Sequence, residues 1–324
     1  MPIKSFAQAM VDGLSYALAS DPRVLVIGRG MTGHGPEMEA EKALHAKYAD
    51  RIDDPPTSEG VVASVAIGAA MAGNPTFVHF GTSVFAFEAC NQILNEAGNA
   101  RLMSNRQFSV PAVFHMFHGI RGGGGAQHSQ SPYAMYANVP GLQVALPGAP
   151  ADVQGLIRSA LKSDHPTVML NHTKLLGVKG EVPDGDFSIP FGQAEVKRKG
   201  KDVTIVATSL TVQVALKAAE LLAKDGIEAE VVDPRTIAPL DTATICESVR
   251  KTGRLVVVDE AVQTCSIASE IAACVAEQAF SALKAPILRV TRPHEPVYYA
   301  PPLEEYVTPT PEKVAAAAKK TLGK

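Results

Sequence analysis

Short apolar runs rich in β-branched residues recur along this chain, and each is followed by a stretch long enough for a helix. "VLVIG" (24–28), "TFVHF" (76–80), "PAVFHMFHG" (111–119), "LQVAL" (142–146) and "PTVML" (166–170) read as buried strands. Between them, residues 58–73, 87–104 and 150–164 read as helices, and Phe6, Met10, Leu14 and Leu18 recur every four residues in a helix over 4–19. Strands that alternate with helices imply a mostly parallel sheet covered on both faces.

The alternation pauses at "GVKGEVPDGDFSIPFGQAEVKRKG" (177–200), where glycine, proline and charge crowd together, and this reads as a connection. It then resumes with "DVTIVAT" (202–208), helix 211–225, "IEAEVVD" (227–233), helix 241–251, "RLVVVDEA" (254–261), helix 266–281 and "APILRV" (285–290). A proline-rich tail precedes one last helix. The expected division is therefore a first α/β domain over 1–178, a connecting segment over 179–200 and a second α/β domain over 201–324. A chain of 324 residues can bury a core in each.

Composition narrows the partners. The net charge is −3 and no basic block stands out, which argues against nucleic acid and against an anionic membrane surface. No apolar run approaches the ~18 residues of a membrane span, and the N-terminus lacks the marks of a signal peptide, so a cytoplasmic location is expected. The four cysteines, Cys90, Cys246, Cys265 and Cys274, show no metal-ligand spacing and read as buried free thiols in a reducing compartment.

Two places stand out chemically. In "GIRGGGGAQHSQS" (119–131) four glycines run into His128. Glycine costs conformational entropy on folding, so four in a row need a reason. No Lys-Ser/Thr follows them, as a phosphate loop would require, and the spacing is not that of a dinucleotide fingerprint. Histidine is the usual acid or base near neutral pH. In "DDPPTSEG" (53–60) Glu59 sits where a proline-stiffened loop enters a small-residue helix. That is helix-start chemistry, with Thr57 or Ser58 as cap, and also the kind of place where α/β proteins bind ligands. His45, His79, His115 and His118 lack metal spacing, and no Gly-x-Ser-x-Gly nucleophile occurs.

These stretches resemble a known family. "IDDPPTSEGVVASVAIGAAMAG", "GAQHSQSPYAMYANVPGL", "DVTIVATSLTVQVALKAAELLAKDGIEAEVVDPRTIAPLD" and "PPLEEYVTPTPEKV" are similar to the beta subunits of thiamine-diphosphate-dependent 2-oxo acid and acetoin dehydrogenases. The likeness implies a transketolase-like fold, a pyrimidine-binding domain followed by the transketolase C-terminal domain. It implies that Glu59 touches the cofactor's pyrimidine nitrogen and promotes loss of a proton from the cofactor's reacting carbon, that Phe85 packs on the ring, and that His128 lies near the reacting carbon. Thr57, Ser58, Gly81, Thr82, Ser83 and His115 would line the same pocket. Backbone carbonyls of Ala112, Ala160, Ser163 and His165 would match a structural potassium site.

The resemblance also implies partners: an alpha subunit in an alpha2beta2 heterotetramer and a lipoyl-bearing acyltransferase, with a small 2-oxo acid or acetoin-like substrate. Magnesium and the diphosphate would be held by the alpha subunit, because the family's Gly-Asp-Gly motif has only a near match here, Asp184-Gly185-Asp186, without the Asn pair that should follow. Two departures put the usual substrates in question. Gly28-Arg29-Gly30 stands where the family commonly has Gly-Glu-Glu, and Gly81 stands where a bulky residue is frequent. The alternatives are a split transketolase-type enzyme that passes a two-carbon unit to an aldehyde, and a non-catalytic assembly subunit on the same fold.

Overall fold

A computed structural model of the protein describes residues 1–28, 30–32 and 37–324. The chain forms two compact units, Met1–His118 with Met135–Phe191 and Gly119–Ala134 with Gly192–Lys324.

In the first unit the elements run β1 (Ile3–Ser5), α1 (Phe6–Ser20), β2 (Leu25–Ile27), α2 (Met38–Lys47), β3 (Ile52–Asp53), α3 (Glu59–Met71), β4 (Thr76–Thr82), α4 (Gly98–Met103) and β5 (Ala112–His118). The chain returns to this unit within α5 (Tyr133–Ala137) and continues through β6 (Gln143–Ala145), α6 (Pro150–Leu161), β7 (Thr167–His172) and β8 (Lys179–Glu181). Six strands lie in the order β6-β7-β5-β4-β2-β3. Every neighbouring pair among them is parallel, with Ile27 opposite Val78 and Val78 opposite Phe114. β4, β5 and β7 are buried along nearly their whole length, as strands covered on both faces must be.

The second unit carries β9 (Glu195–Arg198), β10 (Val203–Ala207), α7 (Leu210–Lys224), β11 (Ala229–Asp233), β12 (Thr236–Ala238), α8 (Thr242–Thr252), β13 (Leu255–Val262), α9 (Ile267–Gln278), β14 (Leu288–Arg292), α10 (Pro301–Val307) and α11 (Pro311–Thr321). Its sheet has the order β14-β13-β10-β11-β9. The pairs are parallel except for β9, which runs antiparallel to β11. Side chains alternate as the pleat requires. Val203, Ile205 and Ala207 pack with α7 and α11, while the Thr204 hydroxyl pairs with Ser248 and Thr252 of α8 at 2.8 Å each.

Several elements depart from the sequence reading. Both ends of the expected 179–200 connection are strands: β8 pairs antiparallel with β1, and β9 joins the second sheet. They are exposed edge strands with charged side chains, so no apolar run marks them. Residues 119–134, placed by sequence inside 1–178, group with the second unit. The expected helix over 87–104 is three pieces, a 3-10 turn Phe85–Ala89, a π-helical stretch Asn91–Ala97 and α4. α2 escapes a periodicity search because Glu41 and Leu44 are its buried residues. Of the four cysteines only Cys246 is buried; Cys90 and Cys274 are half-buried and Cys265 is exposed, and all four are free.

Close backbone approach fixes one corner of the first unit. A Cβ on Gly141 would overlap the carbonyl oxygen and carbon of Gly98, whereas a Cβ on Gly68 of α3 would meet nothing within 4 Å. Gly141→Ala should therefore destabilise the protein by about 1–3 kcal/mol through overpacking. Gly68→Ala, at an exposed helical position, should leave stability unchanged or raise it by up to about 1 kcal/mol. Urea denaturation of the two variants side by side checks the contrast, and equal midpoints would contradict it.

Candidate active site

The C-terminal ends of β2 and β4 meet the start of α3 around a cavity of about 240 Å³. Ligands of open parallel sheets bind at this end of the strands, where crossovers leave a crevice. Gly28 lets the two strand ends close up. Its φ is +98°, and a Cβ there would come within 2.7 Å of the His79 carbonyl oxygen, so no other residue fits.

Thr57, Ser58, Glu59, Gly81 and Phe85 all line this cavity. Glu59 is the first residue of α3 and is half-buried; Thr57 and Ser58 are exposed. Ser58 stands at the cap position, but its side chain makes no capping bond. The carboxylate of Glu59 lies where the helix dipole favours negative charge. Phe85 is 40% exposed, which is unusual for an aromatic ring beside a cavity wall. Gly81 has φ +73°, and a Cβ there would touch only the Phe85 ring, at 3.8 Å. The result is an open aromatic surface and a carboxylate in one hollow.

Behind this wall lies polar structure that the sequence did not reveal. His79 lines the cavity, and its Nδ1 is 2.8 Å from Nδ1 of His115. Burial pushes the His79 pKa down to about 4 from an ordinary 6.5, against the pull of the Glu41 charge. Burial also holds His115 well below the usual range, reinforced by His79. Glu41 itself is buried. Burial raises its pKa, but the Thr32 hydroxyl at 2.6 Å and the amides of Gly30, Met31 and Thr32 donate to it and bring it below the ordinary value. Glu41 thus ties down part of the loop after β2. Arg29, the residue that departs from the Gly-Glu-Glu pattern, lies outside the described residues.

The other expected site residues are placed as follows. Thr82, Ser83 and His115 are buried and do not line the described cavity; His79 stands between it and His115. Ala112 begins β5, while Ala160, Ser163 and His165 lie at the end of α6 and the turn into β7. Val110 N–H donates to the Asp164 carbonyl at 3.3 Å, which brings that turn to the start of β5. The Gly185 carbonyl in the Asp-Gly-Asp near match accepts from Arg158 at 3.0 Å, a structural use.

His128 belongs to the second unit and is half-buried. Its loop explains the glycines. Gly122, Gly123 and Gly125 have φ of +92°, +71° and +61°, the left-handed region that side chains disfavour. Buried carboxylates fasten the loop: Glu260 accepts from the Ile120 amide at 2.5 Å, and both oxygens of Glu304 accept from the Gly123 amide at 3.0 Å. The Tyr133 hydroxyl donates to Asp259. Ala126 and Gln130 line a second hollow, of about 450 Å³, with Arg292 and His294.

Comparison with known proteins adds to this geometry. The transketolase pyrimidine-binding domain family matches residues 4–179, and the transketolase C-terminal domain family matches residues 192–314. The chain is 41% identical to the acetoin:2,6-dichlorophenolindophenol oxidoreductase subunit beta of Cupriavidus necator, over 98% of this chain and 97% of that protein. It is 40% identical to the pyruvate dehydrogenase E1 component subunit beta-1 of Arabidopsis thaliana, over 96% of this chain and 87% of that one. A solved structure described as a split gene transketolase, in an inactive beta4 tetramer, superposes with a TM-score of 0.80 at 25% identity over 98% of each chain. Among the described residues no helix is long and apolar enough to cross a membrane.

The buried histidines make stability depend on pH. The folded pKa of His79 lies below its unfolded value, so the unfolded state binds the extra proton between pH 6.5 and about 4. The stabilisation is complete above pH 6.5 and is lost as pH falls toward 4. The difference between 6.5 and about 4 sets an upper limit of roughly 3.5 kcal/mol at ~1.4 kcal/mol per unit. His79→Gln should shrink this acid-side loss. Denaturant midpoints at pH 7 and pH 4.5 for both proteins measure it; identical losses would remove His79 as the source.

Proposed function

The chain belongs to the transketolase-like family, beside the beta subunits of 2-oxo acid and acetoin dehydrogenases, and on that footing we propose that it is the beta half of such a dehydrogenase. Its substrate is a small 2-oxo acid or an acetoin-like ketol, and the acyl group passes to a lipoyl-bearing acyltransferase. The observation that carries the reading is the open Phe85 ring sharing one cavity with Glu59 at the strand ends.

That pair fits the aminopyrimidine end of thiamine diphosphate. Phe85 offers a face for a flat ring to stack on, Gly81 leaves the face uncovered, and Glu59 offers a carboxylate for a ring nitrogen. When bound, the cofactor supplies an acidic carbon and an electron sink, chemistry that no side chain provides. The chain's own part is to orient and to move protons. Glu59 holds a proton at its carboxylate, Phe85 fixes the ring plane, and His128 donates a hydrogen bond or proton to the substrate or acceptor. Thr57, Ser58, Thr82, Ser83 and His115 build the wall around them. The reading assigns magnesium and the diphosphate to an alpha subunit, and potassium to the carbonyls of Ala112, Ala160, Ser163 and His165. An alpha2beta2 assembly is supported by α3, which exposes Val61 at 61% and Val65 at 57% beside the site. These residues, with Glu59, line a further hollow of about 500 Å³ suited to a partner chain.

The purified chain alone should bind thiamine diphosphate weakly, and addition of an alpha-type partner should yield a heterotetramer with two sites. Calorimetric titration and size measurement test this, and tight stoichiometric binding by the isolated chain would refute it. Replacing potassium by sodium should weaken cofactor binding or lower the melting temperature, and no change in either would remove the carbonyl site. In the assembled enzyme, Glu59→Gln should slow proton exchange at the cofactor's acidic carbon by ~100-fold or more; an unchanged exchange rate would remove Glu59 from its role.

The likeness to a split gene transketolase keeps a second reading in view, transfer of a two-carbon unit to an aldehyde. His128→Ala separates the two. It should still bind the cofactor but lose roughly 100-fold in transfer to its natural acceptor. A lipoyl domain as the acceptor that suffers supports the dehydrogenase, an aldehyde supports the transketolase, and wild-type transfer to both would exclude His128 from catalysis.

A further inference from the structure

The last strand of the chain, β14, ends on a buried cation. Arg292 is 4% exposed, and its Nε donates to the Glu260 backbone carbonyl at 2.8 Å. A guanidinium carries five N–H donors, and that bond uses one. The two Nη nitrogens have no protein acceptor among the described residues, yet they are not closed off from solvent. They are reached through the hollow of about 450 Å³ that Arg292 lines. Burial lowers the Arg292 pKa against the pull of Glu260, whose carboxylate accepts from the Ile120 amide. Donors of a buried cation that lack acceptors are costly, and an anion set against them relieves that cost.

The hollow has the make-up of a small-ligand site. Pro132, Val262, Pro296 and Val297 give it apolar walls, while Gln130 and Ser131 add polar groups from the loop. His294 and Glu295 also line it; both are exposed, and the Glu295 carboxylate accepts from the Tyr298 hydroxyl. Apolar enclosure with one fixed charge binds a small molecule and sets its orientation. The planar fork of a guanidinium matches a carboxylate through two parallel N–H···O bonds. The Gln130 amide donates to the Ala126 carbonyl at 3.0 Å and closes a turn around His128, and both residues line the hollow.

We propose that this hollow binds a small carboxylic acid with a short apolar body, its carboxylate on the Nη groups of Arg292 and its body against Val262 and Val297. The site lies wholly within the second unit. Its occupant touches the loop on both sides of His128 and so holds that turn in one shape. The proposal does not depend on the cofactor reading, and it is tested without the cofactor and with acids that carry no 2-oxo group.

The probes are isobutyrate, its neutral counterpart isobutyramide, acetate and inorganic phosphate. Each is titrated at pH 7 into the full ¹⁵N-labelled chain and followed by amide NMR. Isobutyrate should bind about tenfold more tightly than acetate, because its extra methyl groups are buried. Isobutyramide and phosphate should bind at least about tenfold more weakly than isobutyrate. Isobutyramide binding as tightly as isobutyrate, or phosphate binding more tightly, would overturn the carboxylate assignment. Equal affinity for acetate and isobutyrate would overturn the part given to the apolar walls, and no binding of isobutyrate would overturn the site. Arg292→Gln should weaken isobutyrate at least about tenfold and leave isobutyramide unchanged; wild-type affinity for isobutyrate in this variant would refute the role of Arg292. If Arg292→Gln fails to fold, the wild-type spectra still decide. Isobutyrate should shift the amide signals of Gln130, Ser131 and Val297, and shifts confined to other residues would place the acid elsewhere and refute the proposal.

Discussion

The parallel pairing of β4 with β2 on one side and β5 on the other determines where the candidate site can form in the first unit. Parallel strands all end at the same edge, and their crossovers leave that edge open. Because Ile27 lies opposite Val78 and His79 opposite His115, the strand ends bring Gly28, His79 and Gly81 together. α3 then delivers Glu59 from the loop that follows β3. A shift of one residue in this register would exchange the faces of β4 and turn His79 away from His115.

Much of this was legible beforehand, and the reasons are specific. The strands β4, β5, β7, β10 and β13 announce themselves because burial on both faces favours runs rich in apolar, β-branched residues. Glu59 and Phe85 were legible through resemblance, and Glu59 also through its place at a helix start. The His79–His115 pair was not, although "FVHF" and "VFHMF" each set a histidine among aromatic residues on neighbouring strands. Sequence supplies the strands but not their register, and the pair exists only in register. Glu41, Glu260 and Glu304 were hidden for a related reason: each serves backbone amides, those of Glu260 and Glu304 far along the chain, and a backbone amide leaves no signature in sequence. β8 and β9 were missed because exposed edges are built from charge.

The two units hold their candidate site residues by different means. In the first, glycine at a strand end and stacked rings give a wall with little freedom. In the second, the His128 loop has a backbone only glycines can adopt, and buried carboxylates clasp its amides. Away from water such bonds have no solvent competitor for the amides they hold. Glycine entropy argues for a loose loop; the carboxylates offset it, so the loop is shaped without being stiffened by side chains of its own.

The Glu304 bond to Gly123 has a consequence for how this protein can be divided. The domain families meet between residues 179 and 192, a natural place to cut. A fragment ending at residue 191 would carry the whole glycine loop but neither Glu260 nor Glu304, leaving the amides of Ile120 and Gly123 without their acceptors. The segment Gly119–Ala134 thus precedes that cut in sequence but groups with the unit that follows it. An exchange of C-terminal halves between relatives would need to carry both carboxylates with it, or the glycine loop of the first half would arrive unfastened.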